Sequence, residues 1–141
     1  MKDYEEYLTE TLSGYQEERQ ELVAQAPAFF RLLSNILDDP NLPGRLRPLV
    51  LAGIAYFALA TDIIPEDLVG PNGLIDDIFL AAFICARIRQ ALGSAEILTE
   101  NWDGTGDVLA LIANILERET ELVGDQRELI LWYIGYEHLE H

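Results

Sequence analysis

Apolar residues recur at helical spacing along nearly the whole chain, and no stretch alternates between apolar and polar residues with the period of a strand. This pattern predicts an all-α fold of about six to seven helices around a central apolar antiparallel helical hairpin. A chain of 141 residues is long enough for one hydrophobic core. We therefore expect a single compact helical domain over residues 1–138.

Two strongly apolar stretches, residues 45–60 and 75–92, predict the hairpin, which we place at about residues 45–92. The first stretch is apolar almost all round after its first turn, so we expect it to be the central buried helix. The second is expected to end at Gly93, a residue suited to cap the C-terminus of a helix.

The segment between these stretches reads TDIIPEDLVGPNGLIDD, residues 61–77. Pro65 restricts Ile64 to an extended conformation. Three further residues favour a turn that brings the chain back, namely Gly70, Pro71 and Gly73. This part of the sequence predicts a rigid loop between the two hairpin helices.

Helical patterns also flank the hairpin. A first helix is predicted from the apolar stripe Tyr4, Tyr7, Leu8, Leu12, Tyr15, Leu22 and Val23, and a second has Pro27 in its first turn. After the hairpin we expect a short helix from Ser94, one capped by Asp107 and one capped by Asp125. In the last of these, the side chains expected to pack on the rest of the protein are Leu129, Trp132, Tyr133 and Tyr136. Residues 139–141 resemble the start of an expression tag.

The charge balance restricts the partners. With 25 acids against 9 bases the formal net charge is −16, which repels phosphate backbones, so we expect no nucleic acid partner. The N-terminus lacks the basic and apolar regions of a secretory signal, and Cys85 is the only cysteine. The longest uncharged run is too short to span a membrane. We expect a cytoplasmic protein, with peripheral membrane association left open.

The histidine content argues against most catalysis. His138 is the only histidine outside the tag-like residues. The interior of the chain therefore offers no histidine for a Ser-His or Cys-His catalytic pair or for a multi-histidine metal site. Any chemistry must use carboxylates, tyrosines or arginines. We therefore favour a protein that is not an enzyme, and we assign no catalytic residue.

Five carboxylates gather at one end of the predicted hairpin: Asp62, Glu66, Asp67, Asp76 and Asp77. The last two are expected in the first turn of the second hairpin helix, where acids stabilise free N–H groups. Asp62 follows a helix C-terminus, which disfavours an anion. We therefore expect its charge to be compensated by a hydrogen bond in the loop, by the N-terminus of the second hairpin helix or by a cation. The five acids are also candidate ligands for Mg²⁺ or Ca²⁺, which prefer several oxygens held in place.

The opposite end of the hairpin is basic. It carries the arginines Arg45, Arg47, Arg87 and Arg89. They can pair with the acidic first helix and the acidic C-terminal third of the chain. The alternative is contact with an anion such as a lipid headgroup.

The stretch AYFALATDIIPEDLVGPNGLIDDIFLAAF, residues 55–83, resembles the YkvA-like family, also called domain of unknown function 1232. The residues that match its pattern in order are Tyr56, Asp62, Ile64, Pro65, Gly73, Asp76 and Asp77. The chain departs from the pattern at Ala60, where the family usually has Pro, at Glu66, where it has Asp, and in a longer loop. The resemblance implies a distinctive loop and, in some members, membrane association, but no reaction.

These observations favour a non-enzymatic helical protein. Its apolar hairpin and acidic loop are expected to bind a protein partner or to associate peripherally with a membrane. The alternative is a divalent-metal-dependent enzyme or metal-binding protein that uses the loop carboxylates. The sequence specifies neither the partner nor the oligomeric state.

Overall fold

A computed structural model of the protein describes residues 21–62, 66–124 and 126–136, and describes residues 59–62, 66–74 and 133 by their backbone alone. Within these ranges the protein is all-α and contains no strand, as the sequence predicted. The α-helices are α1 (Ala26–Leu37), α2 (Arg47–Asp62), α3 (Glu66–Leu92), α4 (Glu96–Asn101), α5 (Val108–Glu117), α6 (Glu119–Leu122) and α7 (Gln126–Tyr133), and a 3₁₀ turn (Gly44–Leu46) precedes α2.

The first described helix, α1, forms as predicted. Pro27 lies in its first turn, and Phe29, Leu33 and Ile36 are fully buried on the face that packs against the hairpin. Most of the N-terminal stripe predicted before α1 lies outside the described residues. Its last two members, Leu22 and Val23, are buried in the core.

Helices α2 and α3 form the predicted antiparallel hairpin. A Cβ atom added at Gly53 of α2 would lie 2.5 Å from Cδ1 of Ile84 on α3, so glycine permits a close approach of the two helices. Residues 63–65 can span at most about 14 Å between the helices. This span is too short to reach back to the start of α2, because α2 is about 24 Å long. Two helices that touch and are joined in this way must run antiparallel.

The central buried helix is α3, and the prediction that residues 45–60 take this place was wrong. Helix α3 contacts α1, α2, α5, α6 and α7, whereas α2 packs mainly against α1, α3 and the 3₁₀ turn. The buried side chains of α3 surround its axis: Ile75, Ile78, Phe79, Leu80, Ala81, Ala82, Ile84, Cys85 and Ile88. A helix that is apolar all round indicates burial but does not show which neighbours will cover it.

The predicted loop is also largely helical. Helix α3 begins at Glu66 and continues through Gly70, Pro71 and Gly73, so these residues do not form the expected turn. Pro65 followed by two acids is itself a helix-start signal, because acids in the first turn stabilise free N–H groups. The glycines and the proline each disfavour a helix interior, yet they do not end this one.

The C-terminal helices pack on α3. Asp107 caps α5 as predicted, accepting hydrogen bonds from the backbone N–H groups of Leu109 and Ala110. Gly93 ends α3 with a positive φ of 70°, as its predicted capping role requires. Asp125, predicted to cap the last helix, lies outside the described residues.

Helix α7 turns a different face to the core than predicted. Leu129 and Trp132 are 54% and 74% exposed, so the expectation that they pack on the protein was wrong. Ile130 and Leu131 are buried instead, because the eight residues of α7 present only one face to α3. Tyr136 does pack as expected, with its ring centroid 5.0 Å from that of Phe83.

Candidate functional site: the two ends of the hairpin

The acidic end of the hairpin is built differently from the prediction. Asp76 and Asp77 lie about three turns inside α3, so the prediction that they occupy the first turn and cap the helix was wrong. The first turn of α3 holds Glu66 and Asp67, and Asp62 is the last residue of α2.

Asp77 is the distinctive side chain of this end. It is fully buried, with an exposed fraction of 0%, and neither carboxylate oxygen has a hydrogen-bond partner within the described residues. Burial, together with the neighbouring Asp76 carboxylate, raises the pKa of Asp77 well above its usual value. Burial also raises the pKa of the half-buried Asp76, to about 6.

The fold divides the five candidate acids by their backbone positions. Along a continuous helix, Glu66 and Asp67 lie about 15 Å from Asp76 and Asp77. The contact between Gly53 and Ile84 places the end of α2, at Asp62, about level with residues 75–77, because antiparallel helices advance equally in opposite directions. Position 62 is thus the one nearest to the Asp76–Asp77 pair.

These positions leave the metal prediction open. The side chains of Asp62, Glu66 and Asp67 lie outside the described residues. Among the side chains that are described, no three acids, histidines or cysteines group together in a way that could hold a metal ion. The five-acid metal set therefore stays a prediction.

The structure describes two of the other motif positions, Tyr56 and Gly73. Tyr56 is partly buried and packs against the core from α2. Gly73 lies within α3 rather than in a loop. Ile64 and Pro65 lie outside the described residues.

The basic end carries three exposed arginines, Arg45, Arg47 and Arg89. None of the three makes an ion pair within the part of the chain that the structure describes. Arg47 donates a hydrogen bond of 2.8 Å to the backbone oxygen of Leu37, and Arg87 donates one of 2.6 Å to Gln90.

Arginines elsewhere in the protein behave differently. Arg31 pairs with Asp103, Arg118 with Glu121, and Arg127 with Glu119. In a chain with so large an excess of acids, exposed arginines without a carboxylate partner are unexpected. They make the basic end of the hairpin a surface on which an external anion could bind.

One face of α2 is exposed although it is apolar. Pro48, Leu51 and Ala55 lie on this face at helical spacing, with Arg47 one turn before Leu51, and these four residues are called the outer face below. Leu51 is 48% exposed. The apolar pattern did not indicate which face is exposed, because the helix is apolar on every side. No helix within the described residues is long and apolar enough to cross a membrane.

Comparisons with known proteins agree with the resemblance seen in the sequence. The model of a family described as "Protein of unknown function (DUF1232)" matches residues 47–83, which confirms the recognition of this family segment. The chain is also similar to an uncharacterized protein, ORF9, of Methanothermobacter thermautotrophicus, at 27% identity over 127 residues. That alignment covers 89% of this chain and 86% of the relative. No solved structure matches the chain. Neither description names an activity, a ligand or a partner.

Proposed function

We propose that the protein is a non-enzymatic docking protein that binds a partner protein through the outer face of α2. The observation that carries the proposal is the exposure of Leu51, at 48%, on a helix whose Leu49, Val50 and Phe57 are fully buried. Covering an exposed leucine removes apolar surface from water and so favours association. The outer face extends this apolar surface along about two turns of the helix.

The partner's chemistry follows from the shape and charge around this face. Pro48 and Ala55 are small, so the surface between them is shallow and suits the close packing of another helix. Arg45 and Arg47 stand at the start of α2, exposed and without a carboxylate partner in the described chain. A partner helix that carries acidic residues at one end would complement both the apolar and the charged part of the surface.

A protein partner fits this surface better than a membrane does. Leu51 is the only large apolar side chain of the outer face, so little of this face could enter lipid. The net charge of −16 also opposes approach to an anionic membrane, and attraction by a few arginines is short in range. A cytoplasmic location, suggested by the sequence, is part of the same proposal.

The test is co-purification with two matched variants. Leu51→Glu places a charge on the outer face, whereas Leu129→Glu makes the same change at an exposed leucine of α7. Proteins captured from an extract of the source organism are quantified for the wild type and both variants. We expect Leu51→Glu to lose at least one captured protein tenfold or more, as 1.4 kcal/mol of binding free energy corresponds to about tenfold, and Leu129→Glu to retain it.

The same variants distinguish binding to a membrane from binding to a partner protein. Sedimentation with anionic and with neutral vesicles should leave the wild type in the supernatant. Sedimentation of the wild type but not of Leu51→Glu with anionic vesicles would replace the protein partner by a lipid surface. If the wild type and both variants capture the same proteins equally, the outer face is not the binding surface.

A further inference from the structure

Asp77 is a buried carboxylate that nothing in the described structure stabilises. An ionised carboxylate without a partner is strongly disfavoured in an apolar environment, and a neutral carboxylic acid still needs an acceptor for its O–H group. Neither oxygen of Asp77 has a hydrogen-bond partner within the described residues. An alanine at position 77 would avoid this cost, so the carboxylate weakens the fold unless something binds it.

The surroundings of Asp77 limit what can bind. Its exposed fraction of 0% excludes a bulky ligand from direct contact. Asp76 lies next to it on α3, and α2 ends at Asp62 at about the same level of the hairpin. The two carboxylates of α3 therefore lie at about the level where α2 ends.

The type of cation follows from the ligands. Mg²⁺ and Ca²⁺ prefer carboxylate and carbonyl oxygens, whereas zinc and copper are held mostly by cysteine and histidine. The only cysteine, Cys85, is buried about two turns further along α3. The described residues contain no histidine.

We infer that the acidic end of the hairpin binds one Mg²⁺ or Ca²⁺ ion on Asp77 and Asp76. The ion neutralises the buried carboxylate at the end of the hairpin opposite to the arginines. Such an ion is also the first requirement of the alternative in which the protein is a metal-dependent enzyme.

Thermal unfolding tests this inference on the full chain. The midpoint is measured in EDTA, in millimolar Mg²⁺ or Ca²⁺, and in NaCl of the same ionic strength, because a chain of charge −16 is stabilised by screening alone. Asp77→Asn removes the buried charge, and Asp38→Asn makes the same change at an exposed aspartate. Both variants keep the size of the side chain.

We expect the wild-type midpoint to rise with the logarithm of the divalent ion concentration above its dissociation constant, well beyond the rise in NaCl. Asp38→Asn should keep the rise and Asp77→Asn should lose it. An equal rise in NaCl, or an equal divalent response in Asp77→Asn, would overturn the inference. If Asp77→Asn does not fold, Asp76→Asn takes its place with the same expected loss.

Discussion

The two ends of the hairpin carry opposite charges on the same two helices, and they differ in burial. At the basic end, Arg45, Arg47 and Arg89 are exposed to water. At the acidic end, Asp77 is fully buried without a partner within the described residues. An exposed charge costs little whether or not it is paired, whereas a buried one is costly until a counter-charge reaches it. The charges of the basic end are therefore stable without a partner, whereas the cation we infer at the acidic end would neutralise Asp77.

The largest expected effect is at Asp77. In EDTA at pH 7.5, Asp77→Ala should raise the free energy of unfolding by about 1–3 kcal/mol, the cost of burying a polar group without a hydrogen-bond partner. Urea unfolding measures the change. Asp38→Ala, at an exposed position, should stay within about 0.5 kcal/mol of the wild type. A clear loss of stability in Asp77→Ala would show that the carboxylate already has a stabilising partner.

The pH dependence of this difference is the next effect in size. Because the pKa values of Asp76 and Asp77 are raised in the folded protein, the folded state holds their protons more tightly than the unfolded state. The stability this gives is present below about pH 4, the usual aspartate pKa. It is lost as the pH rises through the raised pKa values, that of Asp76 being about 6. In EDTA, the stability advantage of Asp77→Ala should therefore grow from pH 4 to pH 8. An advantage independent of pH would exclude a charge effect.

Asp76→Asn is expected to have a smaller effect of the same sign. Asp76 is half-buried, so water already stabilises part of its charge. Its removal should stabilise the protein less than Asp77→Ala in EDTA at pH 7.5, as measured by the same urea series. A larger gain in stability from Asp76→Asn than from Asp77→Ala would contradict the expectation that the more deeply buried carboxylate is the more costly one.

The smallest effect is expected at the basic end. Replacing Arg45, Arg47 and Arg89 together by Gln should change the free energy of unfolding by less than about 0.5 kcal/mol for each residue, because exposed side chains away from ion pairs contribute little. Capture of the partner protein should nevertheless fall. A loss of several kcal/mol in the free energy of unfolding would mean that these arginines stabilise the fold rather than bind a partner.

The sequence predicted those features that depend on local chemistry. The all-α class, the place of Pro27 in the first turn of α1 and the caps at Asp107 and Gly93 each follow from a helical period or from the properties of one residue. The family segment was also recognised from an ordered motif. The packing of α2 against α3 followed from two apolar stretches in succession.

Features that depend on tertiary packing were not predictable in the same way. Gly70, Pro71 and Gly73 indicated a turn, but the backbone there is helical. Both Leu51 and Trp132 are exposed, because the elements packed around α2 and α7 cover only part of each helix. Asp77 was interpreted as a helix cap because its burial depends on the helices packed around α3, which the sequence pattern alone does not place.

The most direct test of the account is titration calorimetry of the full chain with Mg²⁺ and, separately, with Ca²⁺, in parallel with Asp77→Asn and Asp38→Asn. The account predicts saturable binding of one ion per chain for at least one of the two metals in the wild type and in Asp38→Asn, and none in Asp77→Asn. The absence of saturable binding in the wild type, or equal binding in Asp77→Asn, would contradict it.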